Sequence, residues 1–257
     1  MHVLERRQFA DLATIVAAEP AGAFLLGSKI LVELDGQVSG SLGDAALDQL
    51  VVADALGVIE GRRSQVRSYD AAAAGLAPAQ ISVFHEVIEP EPQLLIVGAG
   101  HIAVPLARYA KVLGFEVVVL DDRDKYANQE RFPDADRVIA ADFGATLQGL
   151  PITPATYVVV ITRAHTYDEE ALRIILHRPW AYLGMIGSRR RVQTVLRTLV
   201  GEGLDRDRLN EVRAPIGLDL GSETPEEIAL AIIAEVVAVR RGGTGQPLSK
   251  IFRPIAA

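Results

Sequence analysis

The chain has no cysteine, only two methionines and one tryptophan, and aromatic residues make up 5% of it. Without cysteine there can be no disulfide, thiolate metal site, iron–sulfur cluster or cysteine nucleophile. That is compatible with a reducing compartment. An excess of positive charge is missing too: 26 Lys and Arg stand against 33 Asp and Glu, a net charge of −7. Broad nucleic-acid binding needs the opposite balance, so no nucleic-acid partner is expected. Long apolar runs are also absent. No window approaches the roughly 20 uninterrupted apolar residues of a spanning helix. The richest run, IALAIIAEVVAV at 228–239, contains Glu235 and is flanked by Glu226, Glu227, Arg240 and Arg241. It reads as a buried amphipathic helix. The opening MHVLERRQFADLAT has no apolar signal-peptide core, and a cytoplasmic location is expected.

What is present indicates a folded chain of one or two domains, since 49% of its 257 residues are apolar. The character changes near Glu89-Pro90-Glu91-Pro92, whose prolines suit a short stiff linker. This divides the chain into a small α+β domain over 1–89 and a larger domain over 93–257. In the first, Phe9, Leu12, Ala13 and Val16 predict a helix over 5–18. Strands over 29–34 and 37–41 meet at Asp35-Gly36, a hairpin signal. Asp44 predicts the cap of a helix reaching Leu56 and stopping at Gly57, and further strands are expected over 65–69 and 81–88.

After the linker, apolar runs over 94–97, 116–120, 137–140, 157–162 and 181–186 lack clean alternation, as parallel strands covered on both faces do. Helical patterns fall over 101–113, 168–177 and 189–200. A last helix has Thr224 at its N-cap, Pro225 next and Glu227 third, a capping box. The fold class is therefore α/β: a Rossmann-like doubly wound parallel sheet preceded by the smaller α+β domain.

The segment LLIVGAGHIAVPLARYAKVLGFEVVVLDD carries the strongest chemical signal. Gly98, Gly100 and Ala103 fit G-x-G-x-x-G/A between a strand and a helix. Gly98 permits the tight turn, Gly100 allows backbone to approach a pyrophosphate, and Ala103 lets helix and strand pack closely. Free amides at the helix start favour an anion. Asp121 ends the next strand, where an acid binds ribose hydroxyls. With Asp122 beside it, the pair disfavours a 2′-phosphate, so NAD is preferred to NADP. The same glycines equally serve a turn that binds nothing. His101 reads either as a neutral donor to the phosphate or as a solvent-facing ring.

Ligands of open α/β sheets sit beyond the carboxyl ends of the strands. That rule adds Arg163 and His165, with Asp168 nearby, and the turn holding Ser188 and Arg189. Their plain alternative is a turn in which Arg163 and His165 pair with Asp168. Arg190 and Arg191 read as a solvated helix face, with Arg189 nearest the crevice. The five histidines lack metal-ligand spacing, no metal site is expected, and His85 reads as structural. No nucleophile elbow or hydride-transfer arrangement is evident.

The segments VGAGHIAVPLARYAKVLGFEVVVLDDRDKYANQERFPDADRV, VVVITRAHTYDEEALR, YLGMIGSRRR and APIGLDLGSETPEEIALAIIAEVVAVR together resemble the xanthine dehydrogenase accessory proteins, the XdhC/CoxI-like family. The resemblance implies an N-terminal XdhC/CoxI domain and a C-terminal Rossmann domain. It implies a cytoplasmic, homodimeric maturation factor for molybdenum hydroxylases of the xanthine or carbon monoxide dehydrogenase type. Such a factor binds molybdenum cofactor (molybdopterin as a carried ligand), assists its sulfuration with a cysteine desulfurase, and passes it to the apo molybdenum hydroxylase. Its cofactor-binding residues would be Gly98, Gly100, His101, Asp121, Asp122, Arg163, His165, Ser188 and Arg189, together with Asp168. The chain departs from the family at GSLGDAALD, where many members carry a cysteine. Two alternatives share the glycine loop: an NAD-dependent oxidoreductase with His165 as general acid or base, and a nucleotide-binding regulatory module.

Overall fold

The first described element is not the expected helix. Ala10–Glu19 is a strand, β1, in the computed structural model, which describes residues 8–251. Positions 5–7 of the expected helix lie outside the described residues. Two partners on opposite sides decide the matter. β1 pairs antiparallel with β2 (Lys29–Glu33) and with a strand far along the chain, Gln80–Ile88. At a register shift between Ile15 and Ala17 both Val16 and Ala17 are exposed, which breaks the two-residue alternation.

The hairpin signal is answered by β2, Gly36 at φ 86° and β3 (Val38–Ser41). The expected helix, α1, spans Ala45–Gly61, and Asp44 Oδ1 accepts from the amides of Ala46 and Leu47. It passes through Gly57 without a break and ends at Arg62, which takes a left-handed φ of 47°. Gly57 costs the helix some stability, yet a helical glycine does not stop one by itself. β4 (Gln65–Asp70) and β5 (Gln80–Ile88) complete an antiparallel sheet ordered β3-β2-β1-β5-β4. The α1 residues Leu47 and Val51 share its core with Ala13, Ile15, Ile30, Ile81 and Val83. Also inside, His85 Nδ1 lies 2.6 Å from Asp11 Oδ2 and its Nε2 lies 2.9 Å from the Tyr69 hydroxyl. Both Asp11 and His85 are fully buried.

The chain divides into two compact units, Met1–Pro90 and Glu91–Ala257. The second begins with β6 (Gln93–Val97), then α2 (Ala103–Val112), β7 (Glu116–Asp121) and β8 (Arg137–Ala140). It continues through α3 (Phe143–Gly149), β9 (Thr156–Val160), α4 (His165–Ile175), β10 (Tyr182–Met185) and α5 (Arg189–Gly201). α6 (Arg206–Asn210), α7 (Pro225–Arg241) and α8 (Leu248–Ile251) follow. The five strands are parallel in the order β10-β9-β6-β7-β8. The chain therefore moves outward from β6 to β8, then returns to the other side of β6, which puts the topological switch between β6 and β9.

Side chains alternate across this sheet. Leu94, Ile96, Val117, Val119, Tyr157 and Val159 face α2 and α7. Leu95, Val97, Val118, Leu120, Val158 and Val160 face α3, α4 and α5. Both faces are thus apolar, which is why these strands read as unbroken hydrophobic runs. The capping box of α7 is present in full, with Thr224 Oγ1 accepting from Glu227 N and Glu227 Oε2 accepting from Thr224 N. No helix among the described residues is long and apolar enough to cross a membrane.

Candidate functional site

At the switch point the glycine loop is shaped by its neighbours. Gly98 has φ 113°, and a Cβ there would stand 2.5 Å from the carbonyl oxygen of Ile161 at the end of β9. Its amide donates to Leu120 O at 2.7 Å. Gly98 is therefore needed for both its dihedral and the close approach of β6 to β9. Gly100 differs: its φ is ordinary and a Cβ there would meet nothing within 4 Å. The space above this loop residue is open. Ala103 is fully buried against the core that α2 shares with α7, which accounts for its small size. The start of α2 has no side-chain cap, and His101 is exposed just before it.

Asp121 lies at the end of β7 but does not face open space. It is 2% exposed, and four donors converge on its two oxygens. Oδ2 accepts from Ala99 N at 2.8 Å and Arg123 Nη2 at 3.0 Å. Oδ1 accepts from Arg123 N at 3.1 Å and Arg123 Nε at 2.8 Å. The position expected to meet a ribose is thus spent on fastening the glycine loop and holding Arg123. The Arg123 guanidinium also lies 3.9 Å from the centre of the Tyr126 ring.

Asp122, the neighbouring acid, is joined to the end of β9. Arg163 Nη1 and Nη2 donate to its Oδ1 and Oδ2 at 2.5 and 2.7 Å. Arg163 Nη2 also donates to the Tyr167 hydroxyl at 2.6 Å, and the guanidinium stacks 4.4 Å from that ring. The hydrogen bonds from Arg163 hold the Asp122 carboxyl down at about 2, and the Arg163 guanidinium is raised in return. Arg163 therefore does not pair with Asp168, the plainer alternative for this turn.

Asp168 is fully buried in the first turn of α4. Thr162 Oγ1 donates to its Oδ1 at 2.5 Å, and Arg191 donates to its Oδ2 through Nε at 2.9 Å and through Nη2. Burial pushes this carboxyl up, and the bonds from Thr162 and Arg191 oppose that shift. So the arginine that turns inward is Arg191, while Arg189 is exposed. Ser188 caps α5 by accepting from Arg191 N at 3.3 Å. His165 is exposed at the first residue of α4.

The four strand ends are thus linked by hydrogen bonds. Ala99 is tied to Asp121, Asp122 to Arg163, and Thr162 through Asp168 to Arg191 and the Ser188 cap. Asp121, Asp122, Arg163, Asp168 and Ser188 act inside this network. Gly100, His101, His165 and Arg189 are left toward solvent. Sequence reasoning gave no site role to Arg123, Tyr167 or Arg191; only Tyr167, one helical turn from Arg163, left a local signal. Among the described residues, no group of three or more His, Cys, Asp and Glu side chains is placed to hold a metal ion. In the N-terminal unit, the turn after β3 lines a cavity of about 530 Å³ through Leu42, Gly43 and Asp44, with Ser28 and Phe24 beside them. The Asp44 carboxylate there is already engaged as the α1 cap.

A family model described as the XdhC Rossmann domain matches residues 94–236, and one described as the XdhC and CoxI family matches residues 3–70. The chain belongs to the XdhC and CoxI family. The XdhC Rossmann match spans the whole network just described, from β6 to α7. This XdhC chain is similar to the uncharacterized protein YqeB of Escherichia coli K12, at 32% identity over 88% of the chain and 43% of that protein. It is also similar to a probable xanthine dehydrogenase subunit of Bacillus subtilis 168, at 32% identity over 62% of the chain and 46% of that protein. It thus spans less than half the length of these two curated relatives. A crystal structure described as a xanthine dehydrogenase from Bacillus halodurans superposes with a TM-score of 0.55 at 23% identity. That match covers 98% of this chain and 99% of the solved one, and it agrees in fold.

Proposed function

We propose that this XdhC-family chain is an accessory factor of molybdenum hydroxylases that holds molybdenum cofactor by its phosphate and passes it on. The observation that carries this reading is the open space over Gly100 beside the uncapped start of α2. Backbone amides there supply donors, and the helix dipole adds a partial positive charge. The exposed His101, His165 and Arg189 stand on the strand-end side of the same sheet, where further donors suit an anionic cargo. The XdhC family match and the relative described as a probable xanthine dehydrogenase subunit support a molybdenum hydroxylase as the client.

The chain itself makes and breaks no bond of the cargo in this reading, so it needs positioning groups rather than a nucleophile. Sulfuration of the cofactor draws its sulfur from a partner cysteine desulfurase, because this chain has no thiol to relay it. The role of the chain in that step is to hold the pterin while the partner acts.

The test is a titration of the purified chain with molybdopterin released anaerobically from a molybdenum enzyme, alongside Gly100→Asp. The substitution places a carboxylate where the phosphate would lie, and the open space over Gly100 lets it fold normally. Saturable binding by the unaltered chain and its loss in the variant are expected. Equal affinity in the two would remove the loop as the phosphate site, and robust NADH oxidation with carbonyl substrates would favour an enzyme instead.

A further inference from the structure

We infer that Arg123 is the specificity-determining residue of this crevice: by occupying Asp121 it shuts out dinucleotides of the NAD type. The crevice then suits a phosphomonoester that needs no ribose contact at β7. The first half stands on geometry alone, and the second rests on the phosphate site proposed above.

A dinucleotide in a Rossmann crevice places its pyrophosphate on the glycine loop and donates a ribose hydroxyl to the acid ending the second strand. That acid must offer a free lone pair on an accessible oxygen. A carboxylate has about four acceptor positions. At Asp121 all are used: Ala99 N and Arg123 Nη2 on one oxygen, Arg123 N and Nε on the other. The residue is 2% exposed, so a hydroxyl has almost no open face of the carboxylate to approach. A ribose hydroxyl arriving there would have to break a charge-assisted bond, which is stronger than the neutral bond it would make.

Arg123 is itself fixed from several sides. Its carbonyl accepts from the amides of Tyr126 and Ala127 at 3.0 and 2.9 Å, which closes a turn. Its guanidinium is held between Asp121 and the Tyr126 ring. Arg131 Nη1 donates to Tyr126 O and to Ala99 O, both at 3.1 Å, and so joins that turn to the glycine loop. The neighbouring acid is engaged as well, since each Asp122 oxygen accepts from Arg163, and a ribose hydroxyl there would meet a carboxylate already tied to a guanidinium. The strand end that selects ribose elsewhere therefore presents guanidinium groups here.

Calorimetric titration of the full chain with NAD+ tests this, using unaltered protein, Arg123→Met and Arg123→Lys. Methionine keeps the stem over Tyr126 and frees one acceptor position on each Asp121 oxygen, the backbone amide of residue 123 still donating to Oδ1; lysine keeps the charge and surrenders the fork. The unaltered chain should bind no NAD+. Arg123→Met should gain about tenfold to a hundredfold over any residual affinity, the worth of one hydrogen bond to a charged group. Arg123→Lys should gain less. Saturable NAD+ binding by the unaltered chain, or no gain in folded Arg123→Met, would overturn the inference. Should the methionine variant fail to melt cooperatively, the lysine variant decides by the same two readings. Molybdopterin titrated into the same proteins separates this from the proposed function. Its failure to bind removes the cargo, while the NAD+ results still decide Arg123.

Discussion

Two acids in succession, Asp121 and Asp122, meet two arginines in different surroundings. The first is buried and receives four bonds; the second is partly exposed, with 24% of its side chain open, and receives two from Arg163. Asp122 yields a pH prediction. Its folded value of about 2 is below the ordinary 3.8, so folding favours the ionised form. The pair's contribution is fully present above about pH 4 and is lost as pH falls toward 2. Exposure keeps it small, within about 1 kcal/mol. Carboxyl carbon NMR should show Asp122 titrating near 2, and Arg163→Met should return it to the usual aspartate range. At this scale the sequence was readable wherever sterics alone set the residue. Gly98 and Ala103 sit where a turn and a close packing require them, whereas the fold itself places no steric demand on Gly100. Arg123 and Arg191 were hidden, because a charged residue in a charged run looks like solvated surface until its partner is located.

At the scale of elements, α7 was legible from end to end because its signals are local: Thr224, Pro225 and Glu227 at one end and Gly242 at the other. Thr224→Ala removes the bond accepted from Glu227 N, and chemical denaturation should register a loss of about 1 kcal/mol at unchanged slope. β1 was not legible. Phe9, Leu12, Ala13 and Val16 sit at helical spacing. In the fold Asp11 points into the core and meets His85, 74 residues away. A pairing at that distance leaves no mark on local periodicity, and the shift beyond Ile15 blurs the strand alternation further. α3 went unread for a simpler reason: at seven residues it is too short to display a period, although Asp142 caps it by accepting from Ala145 N.

For the whole molecule, the N-terminal unit has one hydrophobic core under α1, and the Rossmann unit has one on each face of its sheet. No member of one core belongs to another. The segment Glu91–Ala257, expressed alone, should therefore unfold in a single cooperative thermal transition seen by far-ultraviolet circular dichroism. A non-cooperative melt would mean that the parallel sheet depends on the preceding unit. The doubly wound architecture was legible because both faces of β6, β7, β9 and β10 are covered, so unbroken apolar runs marked those strands, while the edge strand β8 is partly exposed.

The fastening of Ala99 to Asp121 bears on kinetics. Under the proposed function, a loop held by this bond would have less disorder to surrender when the cargo phosphate arrives, and capture would need no slow rearrangement. Residence time would then be set by how many contacts the cargo must break, and a single surface substitution would tune how quickly it departs.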